Sequence, residues 1–432
     1  MDWLLIGIIA VIVYALVAGC IKYANLWEEH VTFYGPILAL KTDNVAFFDY
    51  FRRHTGFWRI YGTLGAVLVV VISIAMTVML VLGVHNSMMN PPPPEGIFEP
   101  HNLFAIPGVN DFLPLTFAVL IGLIVTLVVH EFGHAILCRV ENIRVQSMGL
   151  LIAVIPIGAF VEPDGEEVEA ASRSERIRMY GAGITNNIIV GLVCFAAIVG
   201  LMGMAVPLST PMIQGVYADS PADMAGLSQN SVIYAVNGMT VESVTDVSDI
   251  LKTTAPGDAL SVTTLKDSIF SDHTLILGEW PEGENDKPIG FMGIQYYSME
   301  SGKNVFNTLI KSPLGPIFLL VLPINTVLAG DSLNLGILAF DVPYMNMWDV
   351  PFSGFWGVIQ ILFWIFWFNL LVGTFNALPF IPLDGGYIMQ EGVGRLFEKL
   401  GRSDLKSFVV SLVSALMISV ILLLLIIPYM FG

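Results

Sequence analysis

Six long apolar runs dominate the chain, roughly Trp3–Gly19, Ile60–Val84, Leu115–Cys138, Met179–Val206, Gly354–Asn376 and Phe408–Met430. Each is close to the ~20 residues that a helix needs to cross a hydrocarbon core. They predict a polytopic α-helical membrane protein with about six transmembrane helices. A seventh stretch, Ser312–Gly330, is apolar enough to span. Its interior prolines and its place beside a polar region favour a re-entrant or interfacial piece. Between Pro207 and Glu300 the pattern changes to short β-branched runs separated by Gly, Asp, Asn and Ser. The runs GVYADSPADMAGL, VIYAVNGMTV, DVSDILKTT and ALSVTTL predict strand, helix turn, strand, turn, strand, helix and strand. Asn237–Gly238 is a hairpin signal between two of those strands.

The expected organisation follows from these patterns. Residues 1–112 form an N-terminal transmembrane pair with its loops. Residues 113–206 and 354–432 form two parts of a membrane core. Residues 207–300 form a small β-rich domain inserted outside the membrane, and 301–353 connect it back.

Charge adds an orientation. Lys22, Lys41, Arg52, Arg53 and Arg59 follow the first run; Arg139, Arg144, Arg173, Arg176 and Arg178 follow the third. Arg395, Lys399, Arg402 and Lys406 follow the fifth, whereas NPPPPEGIFEPHN, between the second and third, has neither Lys nor Arg. The long segment between the fourth and fifth runs holds only Lys252, Lys266, Lys287, Lys303 and Lys311. The positive-inside rule then puts the three basic loops in the cytoplasm and both termini outside. A spanning Ser312–Gly330 would invert this and leave the loop at Arg395–Lys406 outside, against the rule.

Composition narrows the class. The chain of 432 residues is 55% hydrophobic and 13% charged, against about 25% charged in a soluble domain. A net charge of −17 excludes nucleic acid as a partner, since that needs a basic face. Cys20, Cys138 and Cys194 lie in or beside apolar runs with no metal spacing, and read as buried free thiols. The N-terminal run carries Asp2 instead of a basic flank, so it reads as an uncleaved helix although VAGC loosely resembles a lipoprotein box.

Chemistry enters at Leu127–Cys138, LVVHEFGHAILC. An ionisable group at membrane depth costs on the order of 2.5–3.5 kcal/mol on insertion scales and is functional by default. His130 and His134, four apart, share one helical face, as two neighbouring metal ligands require. Glu131 is turned about 100° from them, placed to reach a metal-bound water without ligating. Zinc lowers the pKa of such a water to about 7, and Glu131 could take its proton and pass it to a leaving amine. The competing structural reading is a pair of core histidines beside a snorkelling Glu.

A catalytic zinc takes three protein ligands. The run FNALPFIPLDGG, Phe375–Gly386, supplies a candidate third. Its prolines break the fifth helix, and Asp384 then sits at the membrane level of HEFGH. Taken alone, this is also what a polar turn ending a helix looks like.

HEFGH followed by N-x-x-P-x-x-P-L-D-G resembles the site-2 protease family of intramembrane zinc metalloproteases. PIGAFVEPDGEE, Pro156–Glu167, resembles the family's membrane-associated strand loop, and Gly183-Ile184-Thr185-Asn186-Asn187 its G-x-x-x-N. Gly315-Pro316-Ile317 is similar to the stretch before its Asp helix. The insert resembles a PDZ domain through ADSPADMAGL and AVNG. The resemblance runs from about Leu115 onward and assigns no role to the first two helices. Two details depart from it. Pro382 stands one place later than in the bacterial motif, and Asn230-Ser231 replace a usual Gly-Asp.

The resemblance implies one catalytic Zn2+ held by His130, His134 and Asp384, with Glu131 as general base. It implies that Asn187 and Asn376 are polar groups at the site, with Asn186 an alternative to Asn187 if the helix is rotated. An Asn amide could serve a developing oxyanion, a contact worth about 3 kcal/mol where measured, or only link helices, at roughly 0.6 kcal/mol. The strand loop over Leu150–Val161 could hold an unwound substrate as an added strand, or merely pack at the interface. The acids Glu162, Asp164, Glu166, Glu167 and Glu169 read as a solvated cytoplasmic turn.

The expected function is cleavage of transmembrane segments of membrane-anchored proteins, with transmembrane substrates and lipid as partners. The expected location is a prokaryotic plasma membrane, the site facing the cytoplasm. The insert could bind a peptide tail or act as a size filter. Two rivals are a membrane metallopeptidase acting on soluble peptides and a non-enzymatic PDZ scaffold.

Overall fold

The computed structural model describes residues 3–27, 29–281, 289–331 and 334–432. Asp2 and Lys287 lie outside the described residues. The described chain divides into two compact units, 1–194 with 364–432, and 195–363. The second is inserted in the chain between the two segments of the first.

In the first unit, α1 (Trp3–Tyr23) leads into a hairpin of β1 (Val31–Tyr34) and β2 (Ile37–Thr42). Then come α2 (Thr55–Met89), α3 (Phe117–Val140), β3 (Val145–Ala153), β4 (Ile155–Pro163), the short α4 (Gly165–Ala170) and α5 (Arg173–Met204). Among the described residues, five stretches are long and apolar enough to cross a membrane: 46–89, 117–140, 173–204, 355–376 and 403–431. The expected first span is helical over Trp3–Tyr23, but its described apolar stretch is only 11–23. Five of the six expected spans are therefore shown among the described residues.

The four strands make one antiparallel sheet in the order β1-β2-β3-β4. The strand loop expected over Leu150–Val161 is thus a hairpin, its tight turn at Val154, which has a positive φ of 70°. The N-terminal segment, to which the sequence assigned no role, supplies two of the four strands. Leu40 faces Leu150 across β2 and β3, and Leu150 faces Ala159 across β3 and β4. Among the described residues β4 pairs on one side only.

Ionic clusters tie the three basic loops together. Glu141, its side chain fully buried, takes Arg59 at 3.0 Å and Arg178 at 2.6 Å. Arg139 pairs with Asp49, and Arg173 with Glu391 at 3.1 Å. Loops far apart in sequence therefore meet at one end of this unit. Removing one member of a buried cluster leaves an unpaired charge and costs about 3–5 kcal/mol.

The second unit holds β5 (Val206–Pro207), β6 (Ile213–Val216), α6 (Pro221–Met224), β7 (Val232–Val236), β8 (Met239–Thr240), α7 (Val244–Leu251), β9 (Ala259–Lys266) and β10 (Ile269–Ile276). It continues with β11 (Ile294–Tyr296), α8 (Met299–Val305), α9 (Gly315–Ala329) and β12 (Trp348–Asp349). One sheet runs β10-β9-β7-β8, and β6 pairs with β11. Asn237 and Gly238, both at positive φ, make the turn between β7 and β8. Ile233, Val236, Leu260 and Val262 form the centre of its core. The expected alternation of strands and helices is present in the expected order. The helix α9 has 15 residues, about 22 Å of rise, short of the ~30 Å hydrocarbon core.

The chain then enters α10 (Phe355–Asn376), α11 (Asp384–Lys399) and α12 (Lys406–Phe431). Cys138 and Cys194 are buried as expected, but Cys20 is exposed, because it stands on an outward face of α1.

Candidate metal centre

The helix α3 opens on Thr116, whose side chain accepts from the Val119 amide. His130 and His134 then share one face, with about 9 Å of helix still to run after His134. Both imidazoles are carried by a stretch long and apolar enough to cross a membrane. Opposite them, α10 ends at Asn376, the prolines turn the chain, and α11 begins on Asp384.

The three groups converge. His130 Nε2 and His134 Nε2 are 3.2 Å apart. Asp384 Oδ2 is 3.1 Å from the first and 3.3 Å from the second. Four-coordinate zinc with bonds of 2.0–2.1 Å would put its donors about 3.3 Å apart, so the triangle has the right size for one ion. The protons agree. His134 Nδ1 lies 2.9 Å from the Met179 carbonyl. That acceptor requires the proton on Nδ1 and leaves the Nε2 lone pair for a metal. His130 Nδ1 is buried with no partner among the described residues.

Two glycines let the helices close. A Cβ on Gly183 of α5 would stand 2.5 Å from His134 Nε2, and one on Gly133 of α3 would stand 2.5 Å from the Ala182 carbonyl. Any side chain at either position would push α5 away from the imidazoles.

Glu131 turns toward the sheet. Its Oε2 accepts the Val161 backbone N–H at 2.8 Å. Since β4 pairs only with β3 among the described residues, that amide points off the open edge, and the carboxylate sits beside it. Glu131, the two imidazoles, Asp384 and Asn376 line one cavity of about 270 Å³.

Asn187 is placed differently. It lies one turn beyond Gly183, fully buried, against Gly373 of α10. Neither atom of its amide has a partner among the described residues, which costs about 1–3 kcal/mol per buried group. Asn186 is occupied: Tyr61 of α2 donates to its Oδ1, and its Nδ2 donates to the Val129 carbonyl at 3.1 Å. It is a link between helices.

The acidic stretch after β4 is not merely solvated. Asp164 caps α4 and takes Arg144, and Ser147 donates to Glu162 at 2.7 Å. The Arg144 hydrogen bond, with those from the Glu167 amide and Gln146, holds the Asp164 carboxyl down to about 2. The base of the hairpin therefore stays clamped at neutral pH. Sequence reasoning missed the Met179 carbonyl, the Val161 amide and Tyr180, which also lines the cavity. Backbone groups leave no signature in residue identity, and a Tyr in an apolar helix reads as packing.

A model of the peptidase family M50 matches residues 118–420. The chain belongs to peptidase family M50. It is an integral membrane protein, with five stretches among the described residues that are long and apolar enough to span. An uncharacterized protein of Methanocaldococcus jannaschii is 24% identical over 66% of this chain and 61% of its own length. The regulator of sigma-W protease RasP of Bacillus subtilis is 25% identical over 54% of this chain and 55% of its own. A membrane-bound transcription factor site-2 protease homolog of Arabidopsis thaliana is 26% identical over 47% and 40%. The M50 chain thus spans between two fifths and about three fifths of the lengths of these relatives.

Proposed function

We propose that this M50 peptidase is an intramembrane endopeptidase that cuts within or beside a transmembrane segment of a membrane-anchored protein, in regulated intramembrane proteolysis. One observation carries the reading: a triangle of metal donors inside an apolar helix bundle, beside the open edge of a sheet. A peptidase serving soluble peptides has no need of that depth.

In this reading His130, His134 and Asp384 hold the zinc. Bound there, zinc would supply Lewis acidity toward a scissile carbonyl and the attacking water. The Met179 carbonyl keeps His134 in the tautomer that can ligate. The Val161 amide holds Glu131 Oε2, leaving Oε1 to take a proton from the attacking water and return it to the leaving amine. A substrate segment must lose its helical hydrogen bonds before its carbonyl is accessible. Pairing it along β4 supplies replacement partners and brings it past Glu131.

Asn376, in the cavity wall, is the nearer polar group for the substrate carbonyl. Asn187 is read as a second, reached when substrate enters, because its buried amide has no hydrogen-bond partner among the described residues. Asn187→Ala is expected to lower kcat about 10²-fold or more, the range for loss of one oxyanion donor, with zinc content unchanged. A kcat within a factor of three of wild type would make Asn187 a packing residue.

The shared end of the three basic loops supports a cytoplasmic face for the site under the positive-inside rule, in a prokaryotic plasma membrane. The helix α1 is read as a sixth span, and the β-rich insert as a PDZ-like module that filters substrates by size or holds a tail. The test is a comparison of two substrates with the purified protein in liposomes. One carries a transmembrane segment; the other is a soluble peptide of the same cleavage sequence. Cleavage of the first alone is expected. Faster cleavage of the soluble peptide would favour the soluble-peptide peptidase instead.

A further inference from the structure

The helix that begins with Asp384 is held by more than its connecting loop. Along α11, Asp384, Tyr387, Glu391 and Glu398 fall at spacings of three, four and seven, so they form one stripe. Along α5, Arg173, Arg176, Tyr180 and Gly183 form a stripe of the same kind. The two stripes meet rung by rung. Gly183 abuts the imidazoles that touch Asp384. The rings of Tyr180 and Tyr387 stack at 4.9 Å, 15° from parallel. Arg176 donates to both oxygens of Glu391, at 2.8 Å and 3.0 Å. Arg173 reaches Glu391 at 3.1 Å and Glu398 at 2.7 Å.

The third rung is the most constrained. Glu391 is 4% exposed, and its bond to Arg176 is a fork, which fixes direction as well as distance. Arg176 is itself anchored, donating to the Ala171 carbonyl at 2.6 Å. Between Arg176 and Tyr180 lies Met179, whose carbonyl sets the tautomer of His134. The same two turns of α5 therefore fix His134 directly and α11 through Glu391. Asp384, by contrast, has no side-chain contact besides the imidazoles among the described hydrogen bonds and ion pairs. Its place depends on the depth and rotation of α11.

We infer that Glu391, forked to Arg176, is a positioning residue for the metal centre: it sets the rotation of α11 that presents Asp384 to the two imidazoles. The inference rests on reading Asp384 as a zinc ligand. The glutamate touches neither metal nor substrate; it acts two turns away, through a rigid helix. Glu398 makes a single ion pair at the exposed far end and serves as the control, because an exposed single pair constrains the helix little.

The test uses the full-length protein in detergent, with zinc affinity from chelator competition, the visible spectrum of the cobalt-substituted form, and thermal unfolding. Glu391→Gln is expected to weaken zinc about 10–100-fold, the usual range for groups that orient ligands, and to shift the cobalt bands. Glu391→Asp should recover part of that loss, and Glu398→Gln should match wild type. Wild-type affinity and spectrum in Glu391→Gln, or equal losses in Glu391→Gln and Glu398→Gln, would overturn the inference. Should Glu391→Gln fail to fold, Arg176→Lys decides. It keeps the charge and loses the fork, so weakened zinc supports the inference and unchanged zinc overturns it. Asp384→Asn separates the two layers: zinc retained there undoes the ligand reading itself, whereas zinc lost there but kept in Glu391→Gln undoes only the role of Glu391.

Discussion

Glu131→Gln should leave zinc bound and cleavage gone. The amide keeps an oxygen that can accept the Val161 N–H, so the local geometry survives the change. Glu131 contributes no atom to the group of His130, His134 and Asp384 that could hold an ion, so metal content should stay at one ion per chain. What disappears is a carboxylate able to take and return a proton, a contribution worth about 10²–10⁴-fold in rate. The measurement is single-turnover cleavage of a transmembrane substrate by wild type and variant at matched zinc content. Equal rates would remove Glu131 from the chemistry and leave the proton without a carrier.

Asp384→Asn should behave oppositely, losing metal first and activity as a consequence. The carboxylate is the only negative donor in the triangle, and its Oδ2 stands within 3.3 Å of both imidazole Nε2 atoms. An amide offers a neutral oxygen in the same place and cannot offset the ion's charge in a low-dielectric site. Zinc should dissociate on dialysis against a mild chelator while helical content, read by circular dichroism, stays at the wild-type level. Added zinc should restore only part of the cleavage. Stoichiometric zinc in the dialysed variant would exclude Asp384 from the ligand set and move the search to the other walls of the cavity.

Much of the site was legible because its elements are rare in such surroundings. HEFGH in an apolar run and Asp384 after two helix-breaking prolines are both costly placements, and cost is visible in a sequence. The membrane helices were legible for the same reason, through lengths near 20 residues without charge. Other parts were not. That the strand loop is completed by β1 and β2 depends on pairing between residues more than a hundred positions apart, such as Leu40 with Leu150. No local pattern encodes such a partner. Which of Asn186 and Asn187 is free depends on helix rotation, which neighbouring helices fix: Tyr61 takes up Asn186, and Asn187 has no hydrogen-bond partner among the described residues. The ladder beneath Asp384 went unread because Arg173, Arg176, Glu391 and Glu398 lie in charged stretches of helix, where most ion pairs are ordinary surface contacts.

The hairpin of β1 and β2 covers the flank of β3 away from β4. Without it β3 would offer a second long flank to any extended segment drawn into the bundle. With it, the far rim of the sheet is a strand of four residues, against nine on the rim beside Glu131. Three strand spacings, about 14 Å, separate the two. On the proposed strand-addition reading, a segment paired along the short rim would find fewer backbone partners than one paired along the long rim.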